Sequence, residues 1–229
     1  MIRSKKSTAL ILVMLVIFAF FYSSCTIKKI SETDEDKNAD EYSTWTKSGK
    51  EFNPVEYVDS IWNSQLMPAF EEKAVEVTML FEALEKDKEG ASKEYGLKKT
   101  TGATWVAFKV KGEAEVLEYD DSSMNGLLVL DYLPADGTAD ITLQIGPVIR
   151  KTAIRDSVDF IKFTDVGNQL QFASLADELN LRMKNEAVEP LDLENIEGRV
   201  ISFYGAFKLE EGEALDEVVI TPVKIEVKD

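Results

Sequence analysis

After Gly102 the apolar residues of this chain stop recurring every three or four positions and begin to alternate, and that change of period limits the folds open to it. Val106, Phe108 and Val110 alternate with Lys109 and Lys111, Gly112 interrupts, and Ala114 and Val116 resume between Glu113 and Glu115. The pattern predicts one long strand bent by a bulge at Gly112. Asn125-Gly126 predicts a turn into a second strand, and Asp136-Gly137 a turn into a third, on which Ile141, Leu143 and Ile145 share a face. Residues 146–190 start irregular and turn helical, with Phe172, Leu175, Ala176, Leu179 and Met183 on one face. That helix begins either at Ser174, with Asp177 completing a capping box, or earlier, near Asn168. Beyond Gly198 two more strands follow, the first interrupted at Gly205, the second carrying Pro222, which marks an edge. Three strands, a helix and two strands is the order of an OB-fold. The expected fold class is therefore α+β: an OB-like five-stranded, partly open β-barrel over residues 97–229, with a helix between strands 3 and 4.

Upstream, residues 51–96 predict a helical hairpin packed on the barrel. Asn53 suits the cap position, Pro54 the first helical position, and Glu56 falls three after Asn53. Val55, Val58, Ile61 and Trp62 then share a face. After Met67-Pro68 a second, longer helix is expected, with Phe70, Ala74, Val77, Phe81 and Leu84 as its core stripe and an end by Gly90.

The amino terminus belongs to neither part. Arg3, Lys5 and Lys6 precede an uninterrupted apolar run of 13 residues, 9–21, which has the length of a signal-peptide h-region. As a helix it rises about 20 Å at ~1.5 Å per residue, short of a ~30 Å hydrocarbon layer. Ser23 and Ser24 stand directly before Cys25, the single cysteine, as at a bacterial lipoprotein cleavage site; Tyr22 stands where that motif usually has an aliphatic residue. The expectation is a lipoprotein signal peptide over 1–24, acyl chains on Cys25 as membrane anchor, and a polar tether over 25–50. The alternative is an incidental free thiol behind an uncleaved anchor. Within the tether, Asp34-Glu35-Asp36 lacks the glycine and the spaced ligands of a calcium loop.

The chain has 26 basic and 42 acidic residues, and losing the three basic leader residues leaves a formal charge of −19. Such a surface repels phosphate backbones, so no nucleic-acid partner is expected, and membrane attachment falls to the acyl chains. Histidine is absent, which removes the commonest general base and metal ligand together with Ser-His and Cys-His arrangements. No phosphate loop or metal motif is present, and acids are too abundant for any pair to stand out. Neither catalysis nor a cofactor is expected.

The most distinctive stretch is residues 143–173, "LQIGPVIRKTAIRDSVDFIKFTDVGNQLQFA". It gathers Arg150, Lys151 and Arg155 near Asp156, Asp159, Asp165, Asn168 and Gln169. One reading is a recognition pocket in which Arg150, Arg155, Asp156, Asn168 and Gln169 meet a carboxylate, phosphate or sugar hydroxyl. The other is structural: Arg155 pairs with Asp159 four residues on, while Asp165 and Asn168 cap turns and a helix. Trp45, Tyr57 and Trp105 fit either sugar stacking or ordinary packing.

With "CTIKKI", "YVDSIWNSQLMPAFEEKAV" and "FKVKGEAEV", this stretch resembles a bacterial family of predicted periplasmic lipoproteins of unknown function. The resemblance implies an envelope location and an accessory role in carbohydrate uptake, and carries over no catalytic residues. The function expected is a non-catalytic, lipid-anchored binding module for a small molecule, a glycan or an envelope protein. The alternatives are an assembly factor for an envelope or transporter complex, and a glycan hydrolase working through Asp156 and Asp165.

Overall fold

The computed structural model describes residues 51–228; the leader, Cys25, the tether and Trp45 lie outside the described residues. Helix α1, Pro54–Ile61, starts where expected, with the Asn53 side chain accepting from the backbone N–H of Val55 and Glu56. Of the predicted face Val58, Ile61 and Trp62 are buried, whereas Val55 is 47% exposed and Tyr57 is buried in its stead. Tyr57 is thus a packing residue. A single π turn, Trp62–Leu66, leads into α2, Met67–Lys73, the Met67 N–H bonding back to the Trp62 carbonyl. The wider turn comes just before Pro68, which has no N–H of its own to offer the helix.

The second helix is not continuous. At Ala74 the backbone leaves the helix (φ −72°, ψ 134°), and β1, Val75–Glu76, pairs in parallel with Val110 and Lys111. The chain then resumes as α3, Val77–Lys86, and α4, Lys88–Tyr95, which Asp87 caps by accepting from the Gly90 N–H at 3.0 Å. Gly90 therefore lies inside a helix rather than ending one. The spacing from Ala74 to Val77 suits a helix equally well, so periodicity passes over two extended residues.

The barrel strands are β2, Trp105–Asp120, β3, Leu127–Tyr132, β4, Ile141–Gln144, β5, Val200–Glu210, and β6, Val219–Val227. With β1 the sheet has six strands, not five. Pairing runs from β2 through β3, β4, β6 and β5 and returns to β2, since the first half of β2 pairs β5 and its second half β3. The parallel join of β4 to β6 is confined to Thr142 with Val219 and Leu143 with Ile220, so the ring is only weakly closed there. Past Ile220 the β4 side of β6 is unpaired, which is where Pro222 sits.

The bulge in β2 is not at Gly112. Register with β5 runs straight through Gly112, and the shift lies between Val116 and Glu118. Gly112 serves close approach instead: a Cβ there would stand 2.8 Å from Val77 Cγ1 and 3.2 Å from the Phe203 ring. Gly205, by contrast, does adjoin a register shift, opposite the Val223 bulge of β6.

Between β4 and β5 the chain forms α5, Ala153–Asp156, a short 3₁₀ turn, Phe163–Asp165, and α6, Gln169–Met183, which packs on α1. One hydrophobic cluster runs from Phe52 to Ile225 through helices and barrel alike. At its middle Phe207 of β5 stacks on Phe108 of β2 (5.0 Å, 21°) and meets Phe81 of α3 edge-on (5.7 Å, 78°). Among the described residues no helix is long and apolar enough to cross a membrane.

Candidate functional site

Helix α5 is a single turn, and its last residue, Asp156, is 3% exposed. A buried carboxylate is tolerable only with donors around it. Arg155 supplies Nε at 2.9 Å, Thr152 its hydroxyl at 2.6 Å, and Lys208 of β5 its ammonium at 3.2 Å. Burial alone would raise the Asp156 carboxyl, but the bonds from Arg155 and Thr152 and the charges of Arg155 and Lys208 hold it below the usual carboxylate range. Lys208 also lies 3.9 Å above the Trp105 ring, and Arg155 3.8 Å above the Phe172 ring while donating to the Phe172 carbonyl at 2.9 Å.

The carbonyls leaving α5 have no helical partners. Lys99 donates to the carbonyls of Arg155 (2.6 Å) and Ile161 (2.8 Å), and Lys109 to that of Ser157 (2.7 Å). Burial pulls the Lys99 ammonium down to about 8 against the opposing pull of Asp156, and burial followed by the Lys73 charge lowers Lys109. Next to this, buried Gln144 of β4 bonds the Arg150 N–H and carbonyl and the Thr221 hydroxyl.

Of the predicted residues, the structure brings Arg155 and Asp156 together and leaves the rest apart from them. Arg155 does not pair with Asp159, because α5 ends at Asp156 and no helical turn continues to position 159. Arg150 is held through its backbone by Gln144, its side chain being exposed. Lys151 adopts φ +66° and reaches Glu213 at 2.7 Å. Asn168 caps α6 by accepting from the Gln171 N–H (2.9 Å), which settles the earlier of the two expected starts. Gln169 is exposed on the first turn of α6, and Asp165 accepts from the Lys162 N–H (2.8 Å). Sequence reasoning passed over Thr152, Gln144, Lys99, Lys109 and Lys208.

Two clefts lie along this network and share Leu97 and Asp159 in their walls. The first, of about 290 Å³, carries Lys73 and Lys109; the second, of about 420 Å³, carries Lys98, Lys99, Lys162, Phe163 and Phe172. The second is a groove between residues 97–100 and residues 156–172; the first lies among residues 69–75, residues 94–97, Lys109 and residues 158–159, with Glu94 in its wall. Larger clefts exist elsewhere, one of about 630 Å³ beside Trp105, where Lys93 is paired with Glu89 and Lys88 bonds the Glu213 carbonyl; Lys98 lines that cleft as well as the groove, whereas Lys99 and Lys162 line only the groove. In the groove, Lys98 and Lys162 form no ion pair among the described residues. No cluster of acidic side chains or cysteine able to hold a metal occurs among the described residues.

The Lys99 ammonium also makes stability pH-dependent. Because the folded chain binds that proton less tightly than the unfolded chain, stability from this group rises as pH climbs from about 8 towards the ordinary lysine value. Tyr57, pushed up to about 12 by burial and the Asp165 charge, acts oppositely above the ordinary tyrosine value, so the effect is read below pH ~10. The expected result in thermal melts is that the gap in Tm between the parent chain and Lys99→Met widens from pH 7 to pH 9.5. A constant or narrowing gap contradicts it.

The sequence model of a family described as "Predicted periplasmic lipoprotein (DUF2291)" matches residues 15–226. The crystal structure of an OB-fold protein from Thermotoga maritima MSB8 is similar with a TM-score of 0.65 at 20% identity, covering 78% of this chain and 100% of that one, a likeness that speaks to the fold alone. No curated protein matches.

Proposed function

The chain belongs to this family of predicted periplasmic lipoproteins, and from that premise we propose that it is a non-catalytic binding module, held to the envelope membrane by acyl chains on Cys25 and taking a small molecule in the groove beside α5. The observation that carries this reading is the division of labour among the charges. Asp156, Arg155 and Lys208 satisfy one another and fix the groove wall, while Lys162, and Lys98 between this groove and the cleft beside Trp105, have no carboxylate partner among the described residues. A buried carboxylate already engaged by three donors is poorly placed to act as base or nucleophile. Unspent cations beside aromatic rings are suited to holding a ligand.

A thermal-shift screen of the full chain against saccharides, nucleotides and organic acids tests it. Ligands that raise Tm are expected to lose their effect in Lys98→Gln and Lys162→Gln, to keep it in Arg150→Ala, and to be recovered chemically unchanged by mass spectrometry. Shifts indifferent to the two lysine substitutions, or a ligand recovered as product, contradict it.

A further inference from the structure

We propose that the groove takes a small organic anion, a carboxylate or phosphate carried on an apolar body, and that the Lys99 ammonium is the group that recognises the charge; this rests on the groove being the ligand site. Three observations lead there. An ammonium has three N–H donors, and Lys99 spends two on the carbonyls of Arg155 and Ile161, leaving a third without an acceptor among the described residues in the wall of the 420 Å³ cleft. The backbone clamp fixes that donor in place, so little freedom is lost when a ligand oxygen meets it.

The rim repeats the same sign. This chain carries a formal charge of −16; Lys73, Lys86, Lys88 and Lys184 form no ion pair among the described residues, whereas six other lysines do, among them Lys111 with Glu76, Lys151 with Glu213 and Lys228 with Glu113. Lys98 and Lys162 do not. Facing them are Asp156, whose charge Arg155 and Lys208 already answer, and the exposed carboxylate of Asp159. Lys98, Lys99 and Lys162 thus meet two acids without ion-pair partners, Asp159 in the wall and Asp165, whose carboxylate accepts from the Lys162 N–H and also acts on Lys99. The repulsive field of the rest of the surface is screened over about 10 Å in ordinary salt, which leaves a short anion attracted and a long polyanion excluded.

The third observation is apolar. Phe163 stands 48% exposed, edge-on to Phe172 at 5.5 Å, with half-buried Leu97 in the same wall. Inorganic phosphate would leave those surfaces wet, and a ligand with an aromatic or aliphatic body covers them. Burial has lowered the Lys99 proton affinity, with Asp156, Asp159 and Asp165 opposing and Arg155 reinforcing the shift. A bound anion restores that affinity, so binding takes up a proton near pH 8.

Isothermal titration of the full chain with phenyl phosphate, and with neutral phenyl glucoside as the matched control, tests the inference at pH 7 and pH 9. Phenyl phosphate is expected to bind with 1:1 saturation at pH 7 and about tenfold more weakly at pH 9, as the protonated fraction of a group titrating near 8 falls about tenfold. Lys99→Met is expected to weaken binding at pH 7 by about tenfold or more and to abolish the pH dependence. Because Lys99→Met also frees two carbonyls, Lys162→Gln, a surface change, serves beside it and is expected to weaken phenyl phosphate alone. Phenyl glucoside bound in preference to phenyl phosphate, with Lys162→Gln abolishing it, overturns the anion and leaves the groove standing. Binding of phenyl phosphate that neither lysine change nor pH alters overturns both.

Discussion

Asp156→Asn is expected to lower the melting temperature by roughly 6–20 °C, the equivalent of about 3–5 kcal/mol for removing one partner of a buried ion pair in a chain of this size. The substitution keeps the shape of the side chain and removes its charge. Arg155 and Lys208, whose side chains are 12% and 11% exposed, would then stand beside a neutral amide with no other ion-pair partner among the described residues. The penalty is that of two stranded cations rather than of one lost attraction, so relieving one of them should recover part of it. Asp156→Asn combined with Lys208→Met is expected to melt above Asp156→Asn alone. A loss under ~2 °C, or a double variant worse than the sum of the singles, would contradict the network as drawn.

Phe207→Ala is expected to cost about 3–5 kcal/mol, the range for truncating a fully buried aromatic ring. The position matters more than the size. Phe207 touches Phe108 within the barrel and Phe81 on α3, so its ring joins the helical layer to the sheet. If helices and barrel share one core, the variant should still unfold in a single calorimetric transition, shifted down as a whole. Separate melting of a helical part and a barrel part would show that the two layers hold together independently.

The order of the barrel strands was legible because alternation survives wherever one face of a strand is buried, as at Phe108, Val110, Leu143 and Ile220. The caps at Asn53 and Asn168 were legible because a capping side chain acts within three residues of itself. What escaped was anything whose cause lies far along the chain. Two extended residues at 75 and 76 make sense only beside Val110 and Lys111, and a glycine at 112 only beside Val77. The site shows the same divide. Arg155 and Asp156 stood out as charged neighbours, but the pairing of Arg155 with Asp159 presumed a helix longer than one turn. Lys99 reaches the Arg155 carbonyl across 56 residues and Lys109 reaches that of Ser157 across 48, and no local pattern announces either.

Backbone amide chemical-shift mapping of the full chain during a phenyl phosphate titration is the most direct test of binding in the groove. Saturable shifts gathered on residues 97–100, 161–163 and 172, with Met124 and Val148 in the loops after β2 and β4 unmoved, are the predicted result. Shifts gathered around Trp105 and Leu209 in the larger cleft, with residues 97–100 and 161–163 silent, would contradict it.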